Sequence, residues 1–158
     1  MNIEDKNFMR EAIQLSLNGM QNNEGGPFGA IVVKDGKIVG RGNNQVTSSN
    51  DPTAHAEVVA IRDACKNLGS FQLDGCIVYS SCEPCPMCLG AIYWARPEKL
   101  FFACSREDAA AIDFDDEFIY QEIPLPIDQR KIETVQLLQE EGRLVFNKWA
   151  EKNDKTIY

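Results

Sequence analysis

The sequence predicts an α/β fold in which a mixed sheet lies between helices. Residues 4–20 carry a broad apolar stripe at helical spacing. Asp35-Gly36, flanked by Val33 and Ile38, is a strong signal for a hairpin between antiparallel strands. From Gly36 to Cys104 strands then alternate with helical segments, which implies right-handed crossovers and helices on both faces of the sheet. With 158 residues, 44% hydrophobic and 25% charged, the chain is expected to form a single domain over residues 1–158.

The first two thirds of the sequence indicate clear boundaries for the helices and strands. The first strand is predicted over residues 28–33, and the second begins after the Asp35-Gly36 turn. A second helix is predicted to start with Asp51 as N-cap and Pro52 at its first position. Its core row has alternating spacings of four and three residues: Ala54, Val58, Ile61, Cys65 and Leu68. A buried strand at 75–79, a helix from Pro84 to about Trp94 and a strand at 99–103 follow.

The C-terminal third is less regular. An acidic helical stretch is predicted at about 109–120, followed by a break at Pro124 and Pro126. A strand at 132–138 and a last helix through Leu144, Val145 and Trp149 complete the chain.

Charge and composition exclude several classes of protein. Sixteen lysine and arginine residues against 24 acidic ones give a net charge of -8, with no basic run, so we expect no nucleic-acid partner. The N-terminus lacks the pattern of a signal peptide, and no apolar run is long enough for a membrane span. Three of the six cysteines form Cys-x-x-Cys-x-x-Cys, a spacing that suits metal or redox chemistry in a reducing cytosol. A small neutral ligand fits this composition better than a polyanion.

Two separated motifs supply the parts of a catalytic zinc site. His55 and Glu57 lie in Thr-Ala-His-Ala-Glu, and Cys85 and Cys88 lie in Pro-Cys-Pro-Met-Cys. Cys85 and Cys88 are three residues apart at a predicted helix start, where the helix dipole favours thiolates. Three protein ligands leave one position of a tetrahedral ion open, while Glu57 stays free to act as a base.

Other interpretations compete with this one. His55 alone is more often a satisfied core histidine than a ligand. Cys82 offers a fourth ligand, which would give a closed Cys3His structural site. An iron–sulfur cluster would need a fourth cysteine at suitable spacing, and only isolated ones are present. The combined H-x-E and P-C-x-x-C pattern is more specific than either half and favours catalysis.

These two motifs resemble those of the zinc-dependent nucleoside and nucleobase deaminases. The resemblance implies a three-layer α-β-α cytidine-deaminase-like fold with a central five-stranded mixed sheet. It also implies one zinc ion per subunit, held by His55, Cys85 and Cys88, with Glu57 as the proton shuttle. The reaction would replace an amine on a ring carbon with the oxygen of water and release ammonia.

Within that superfamily, nearly the whole chain is similar to the small bacterial guanine deaminases. The similarity includes Gly26–Ala30, Asn43-Asn44, the two metal motifs with their flanks, residues 114–120 and the terminal Tyr158. It implies a purine base as substrate, catabolism or salvage of guanine, and a cytoplasmic homodimer that exchanges a segment of about residues 120–158. The resemblance further implies that the substrate meets Asn44, Phe28, the backbone at Ala56, Asp116 and Tyr158.

Three rival functions remain. A tRNA adenosine deaminase would share the first motifs, although the acidic charge and the later blocks weigh against it. Another small ring system, such as cytosine or a pterin precursor, is the second. A non-catalytic, zinc-stabilised binding protein is the third.

Overall fold

A computed structural model describes residues 2–158 of the chain. The described chain forms two compact units, one that ends at Asp116 and one formed by Glu117–Tyr158. The first unit contains nine elements, in chain order: α1 (Ile3–Gln21), β1 (Gly29–Lys34), β2 (Lys37–Asn43), α2 (Val46–Ser49), α3 (Ala56–Leu68), β3 (Cys76–Cys82), α4 (Pro86–Ala95), β4 (Lys99–Cys104) and α5 (Arg106–Ala110). The second unit contains α6 (Glu117–Glu122), a 3₁₀ turn (Ile127–Gln129) and α7 (Gln139–Glu151).

The sheet is mixed, as predicted, and its strands lie in the order β2-β1-β3-β4. β1 is antiparallel to β2 and to β3, whereas β3 and β4 are parallel and are joined through α4. The turn between β1 and β2 places Asp35 and Gly36 at φ 49° and 70°, which confirms the predicted hairpin. Within residues 2–158 the sheet has four strands, so the expectation of five was wrong.

The missing strand is the one predicted over residues 132–138, which are irregular. Its apolar pattern suits a strand, but a strand forms only where a neighbour accepts and donates backbone hydrogen bonds. None of the four described strands pairs with this segment. The acidic stretch at 109–120 also differs from prediction, because α5 and α6 are separate helices and Asp113 lies between them at φ 69°.

Helices cover both faces of the sheet. On one face Ala12 of α1 packs with Ile31, Val33 and Tyr79. On the other face the core contains three alanines of α3 together with β1 and β3 side chains; its members are Ala30, Val32, Ala56, Ala60, Ala64, Leu73, Cys76, Val78 and Ala95. The predicted three-layer arrangement is therefore present within the first unit.

Helix α3 begins later than predicted and buries a different row. Asp51 does not cap it, because its Oδ1 accepts hydrogen bonds from the Thr53 backbone N–H and hydroxyl, which closes a local turn. The helix starts at Ala56 with His55 as N-cap. The predicted residues Ile61, Cys65 and Leu68 are only partly buried.

Two glycines of β2 explain why α3 buries alanines in place of its larger apolar residues. A Cβ on Gly40 would lie 2.5 Å from the Ala60 carbonyl oxygen, and one on Gly42 would lie 2.2 Å from that of Ala56. The helix therefore approaches the sheet so closely that only small residues fit between them. Among residues 2–158 no helix has the length and apolar character required to cross a membrane.

Candidate metal centre

The four residues of the two motifs lie in the first turns of two helices. His55 is the N-cap of α3, and Glu57 lies in the same first turn. Cys85 is the N-cap of α4, which begins at Pro86 rather than at the predicted Pro84, and Cys88 is the third residue of that helix. First-turn N–H groups have no intrahelical acceptor, so both helix ends favour negative charge at this site.

His55, Cys85 and Cys88 form one compact cluster. Their ligand atoms all lie within 4.8 Å of one another, and the Cys85 Sγ is 3.6 Å from the His55 Nδ1. Cys82 is not in this group, and its Sγ lies 3.5 Å from the Ser105 carbonyl oxygen instead. The structure thus gives no support to the alternative of a closed Cys3His site.

The donor set fits zinc. One imidazole nitrogen and two sulfurs are ligands that zinc prefers, and three of them leave an open coordination position. The Cys88 thiol and His55 lower the pKa of Cys85 to about 4, despite its partial burial. The contact with Cys85 in turn raises the pKa of His55, and Cys88 keeps the remaining proton because its neighbour Cys85 and burial raise its pKa. The pair therefore holds one thiolate ready to bind a cation.

Glu57 lies beside this cluster and is only 6% exposed. Burial raises the pKa of its carboxyl group, and the Ser80 hydroxyl donates a hydrogen bond to its Oε1 at 3.1 Å. A buried carboxyl group whose pKa is raised is suited to accept and return a proton. No pattern in the sequence points to Ser80, because a serine in a buried strand does not indicate which residue its hydroxyl will contact.

Asn44, which was predicted to contact the substrate, is also a buried polar residue. It is 5% exposed, and its Oδ1 accepts hydrogen bonds from the backbone N–H groups of Gly26 and Val46, at 3.3 and 3.2 Å. No acceptor for its Nδ2 is found among residues 2–158, and because no buried side-chain nitrogen or oxygen there lacks a partner, this nitrogen must be accessible to solvent. The amide is thus fixed through its oxygen, and its NH2 group is left for a ligand or water.

Two phenylalanines form an aromatic pair close to Asn44. Phe28 and Phe114 meet edge to face with ring centroids 4.9 Å apart. A Cβ on Gly26 would lie 2.9 Å from the Phe114 ring, so this glycine makes room for the pair. Phe28 was predicted at the site, whereas Phe114 was recognised only as part of a similar block of sequence.

The remaining residues that were predicted to contact the substrate are Asp116, Ala56 and Tyr158. Burial raises the pKa of Asp116, and the negative charge of Cys85 contributes in the same direction, so the two residues interact electrostatically. Ala56 is fully buried between His55 and Glu57. Tyr158 belongs to the second unit, and its predicted place at the site stays a prediction.

Comparison with known proteins identifies the family. Residues 2–104 match the cytidine and deoxycytidylate deaminase zinc-binding region. The chain belongs to this deaminase family. It therefore carries a zinc-binding deaminase domain, and the His55, Cys85 and Cys88 cluster is where this domain groups three metal ligands.

Relatives of this deaminase include guanine deaminases and tRNA-specific adenosine deaminases. A guanine deaminase of Bacillus subtilis is 54% identical over 151 residues, covering 96% of this chain and 97% of the relative. A solved structure of guanine deaminase from that organism superposes with a TM-score of 0.95 over 100% of this chain and 99% of the other, at 53% identity. A tRNA-specific adenosine deaminase of Aquifex aeolicus is 47% identical over 77 residues, covering 49% of this chain and 51% of the relative.

Proposed function

We propose that this deaminase converts guanine and water to xanthine and ammonia. The observation that carries the proposal is the buried Glu57 carboxyl group beside a cluster of one histidine and two cysteines. The similarity to guanine deaminases over nearly the whole chain supports guanine as the substrate. A purine base is small and uncharged, in agreement with a net charge of -8.

We assign His55, Cys85 and Cys88 as the residues that hold zinc. When bound, zinc acts as a Lewis acid that lowers the pKa of water. Glu57 performs the proton transfers: its carboxylate takes one proton from water and delivers it to the ring nitrogen beside the aminated carbon. It then takes the second proton from the hydroxyl group added to that carbon and gives it to the amine, so the carbon–nitrogen bond breaks, ammonia leaves and a carbonyl group forms. The burial of Glu57 keeps these protons from exchanging with bulk solvent.

The residues around this centre suit a flat, polar ring. The free NH2 group of Asn44 can donate to a ring nitrogen or a carbonyl oxygen. Phe28, held by Phe114, can pack on a ring face. We assign Asp116 to the amine and N1–H donors of guanine, because a carboxylate accepts both, and Tyr158 to closure of the pocket. Backbone groups at Ala56 are assigned to the same pocket.

A substrate panel tests the proposal directly. The zinc-loaded protein is incubated with guanine, adenine, cytosine, guanosine and an adenosine-containing RNA hairpin, and ammonia release is measured. We expect release from guanine alone, with xanthine formed in equal amount. Release from the hairpin but not from guanine would favour the tRNA adenosine deaminases, whose Aquifex aeolicus relative matches 49% of the chain. Zinc binding without any release would favour a binding protein.

We further propose a homodimer that exchanges residues of about 120–158 within a single deaminase domain. Support comes from the second unit, in which large apolar side chains are exposed, among them Ile132, Val135, Leu137 and Phe146. Monomeric proteins rarely leave such surface uncovered. Light scattering should give twice the chain mass.

All six cysteines are free thiols, which agrees with a cytosolic location.

Complementation decides whether Tyr158 acts across the dimer. Chains carrying Glu57→Gln are unfolded together with chains carrying Tyr158→Ala, refolded and supplied with zinc. If Tyr158 reaches the partner's site, random pairing leaves about a quarter of all sites intact, and activity returns to that level. If it acts in its own subunit, the mixture stays as inactive as the two separate preparations.

A further inference from the structure

The side chain of Ser80 makes a buried contact with Glu57 that none of the assignments above uses. Ser80 is 2% exposed and donates its hydroxyl proton to the Glu57 Oε1 at 3.1 Å. Its backbone is held on both sides, because it lies opposite Ala30 of β1 and Phe102 of β4. A donor mounted on a central strand has little freedom to move away from its acceptor.

Ser80 is the side chain that donates a hydrogen bond to the Glu57 carboxyl group within residues 2–158. It is not one of the three residues that could hold a metal ion, which are His55, Cys85 and Cys88. Its hydroxyl group therefore keeps its proton, and can still donate to Glu57, when those residues bind an ion.

We propose that Ser80 is a positioning residue that fixes the carboxylate of Glu57 for proton transfer in the zinc-loaded protein. The inference rests on the proposed role of Glu57 in deamination. A hydroxyl bonded to Oε1 fixes the rotation of the carboxylate about its last torsion, which is otherwise broad. The orientation of the second oxygen toward the reacting atoms is thereby determined before substrate binds.

Steady-state kinetics on Ser80→Ala give the first test. We expect kcat to fall about tenfold or more, since a lost hydrogen bond to a charged group is felt in each proton transfer. KM should change by less than about twofold, and zinc should remain at one per chain, because the variant touches neither substrate nor metal. Ser80→Thr retains the hydroxyl and should restore most of kcat. Ser16→Ala removes another buried hydroxyl, bonded to the Ile13 carbonyl in α1, and should leave kcat unchanged.

A spectroscopic measurement separates this inference from the proposed function. In zinc-loaded protein with ¹³C-labelled glutamate carboxyl groups, the Glu57 resonance is assigned by its loss in Glu57→Gln. We expect Ser80→Ala to shift that resonance and Ser16→Ala to leave it in place. An unshifted resonance, or a kcat for Ser80→Ala within about twofold of the original, would overturn the inference. So would equal losses in folded Ser80→Ala and Ser80→Thr. If the original chain does not turn over guanine, the proposed function fails while the resonance still reports on the contact.

Discussion

In Gly42→Ala, a single added methyl group should displace helix α3 and, with it, His55 and Glu57. A Cβ there would lie 2.2 Å from the Ala56 carbonyl oxygen and 2.5 Å from the Ala60 nitrogen, both backbone atoms that cannot rotate away. Ordinary contact begins at 3.4 Å, so in Gly42→Ala the helix must retreat by about 1.2 Å, the difference between 3.4 and 2.2. Such overpacking costs about 1–3 kcal/mol, and we expect the upper end.

The cost should be visible in both stability and metal affinity. A loss of about 3 kcal/mol corresponds to a decrease in Tm of about 6–12 °C for a chain of this size. Because Ala56 lies between His55 and Glu57, the retreat of α3 also moves a zinc ligand, so the affinity for zinc should fall. Urea unfolding of zinc-free protein and a competition titration with a zinc chelator measure the two effects separately.

A second glycine provides the matched control. Gly90 lies inside α4, and a Cβ there would have no neighbour within 4 Å. Gly90→Ala should therefore stabilise the protein by about 0.5–1 kcal/mol, because alanine loses less backbone entropy in a helix. An unfolding free energy of Gly42→Ala within about 0.5 kcal/mol of the original would refute the close-approach reasoning.

Four further substitutions test the site and the packing. Glu57→Gln should reduce turnover by about 10²–10⁴ while metal analysis still finds one zinc per chain. Cys88→Ser should lose bound zinc in the same analysis, and retention of the full content would remove this cysteine from the ligand set. Asn44→Asp keeps the acceptor for two backbone N–H groups but loses the NH2 donor, so KM for guanine should rise about tenfold with little loss of stability. Tyr79→Phe removes the hydrogen bond that holds the pKa of Asp5 below its usual value. The stability that this bond contributes is present above a carboxyl pKa of about 4 and is lost as the pH falls through the lowered pKa, so zinc-free original and variant should converge in strong acid.

Local signals in the sequence were sufficient for the hairpin and the metal cluster. Asp35 and Gly36 adopt the positive φ values that their types predict, and their effect needs no distant partner. His55, Cys85 and Cys88 were found because a metal site requires rare side chains in a fixed pattern. The hairpin is encoded within a few neighbouring positions, and the metal cluster is encoded by two short motifs that are each local, although His55 and Cys85 are 30 residues apart.

Features that depend on distant neighbours were missed. The buried row of α3 was predicted from its largest apolar residues, but the glycines of β2 select alanines instead. Ser80 became part of the site only through its partner on another element. Residues 132–138 have the composition of a strand and no described strand to pair with, so their apolar pattern alone could not decide their structure.

The position of the metal cluster at two helix starts lowers the stability of both helices in the metal-free protein. His55 and Cys85 are both N-caps, and neither side chain offers an oxygen acceptor to the first-turn N–H groups, although the Cys85 sulfur interacts with the Cys88 thiol and N–H. The asparagine and serine caps of α1 and α5, in contrast, each accept a first-turn N–H in a capping box. Replacing such a cap by a residue whose side chain has no oxygen acceptor typically costs about 1 kcal/mol. The helices α3 and α4 are therefore each less stable by an amount of that order. The same uncapped N–H groups and helix dipoles favour the thiolate of Cys85, and a bound cation returns the lost stability through its ligands. The helix starts would thus couple folding to metal binding, since the N-cap positions that would best stabilise the metal-free protein are occupied by His55 and Cys85, which we assign to the ion.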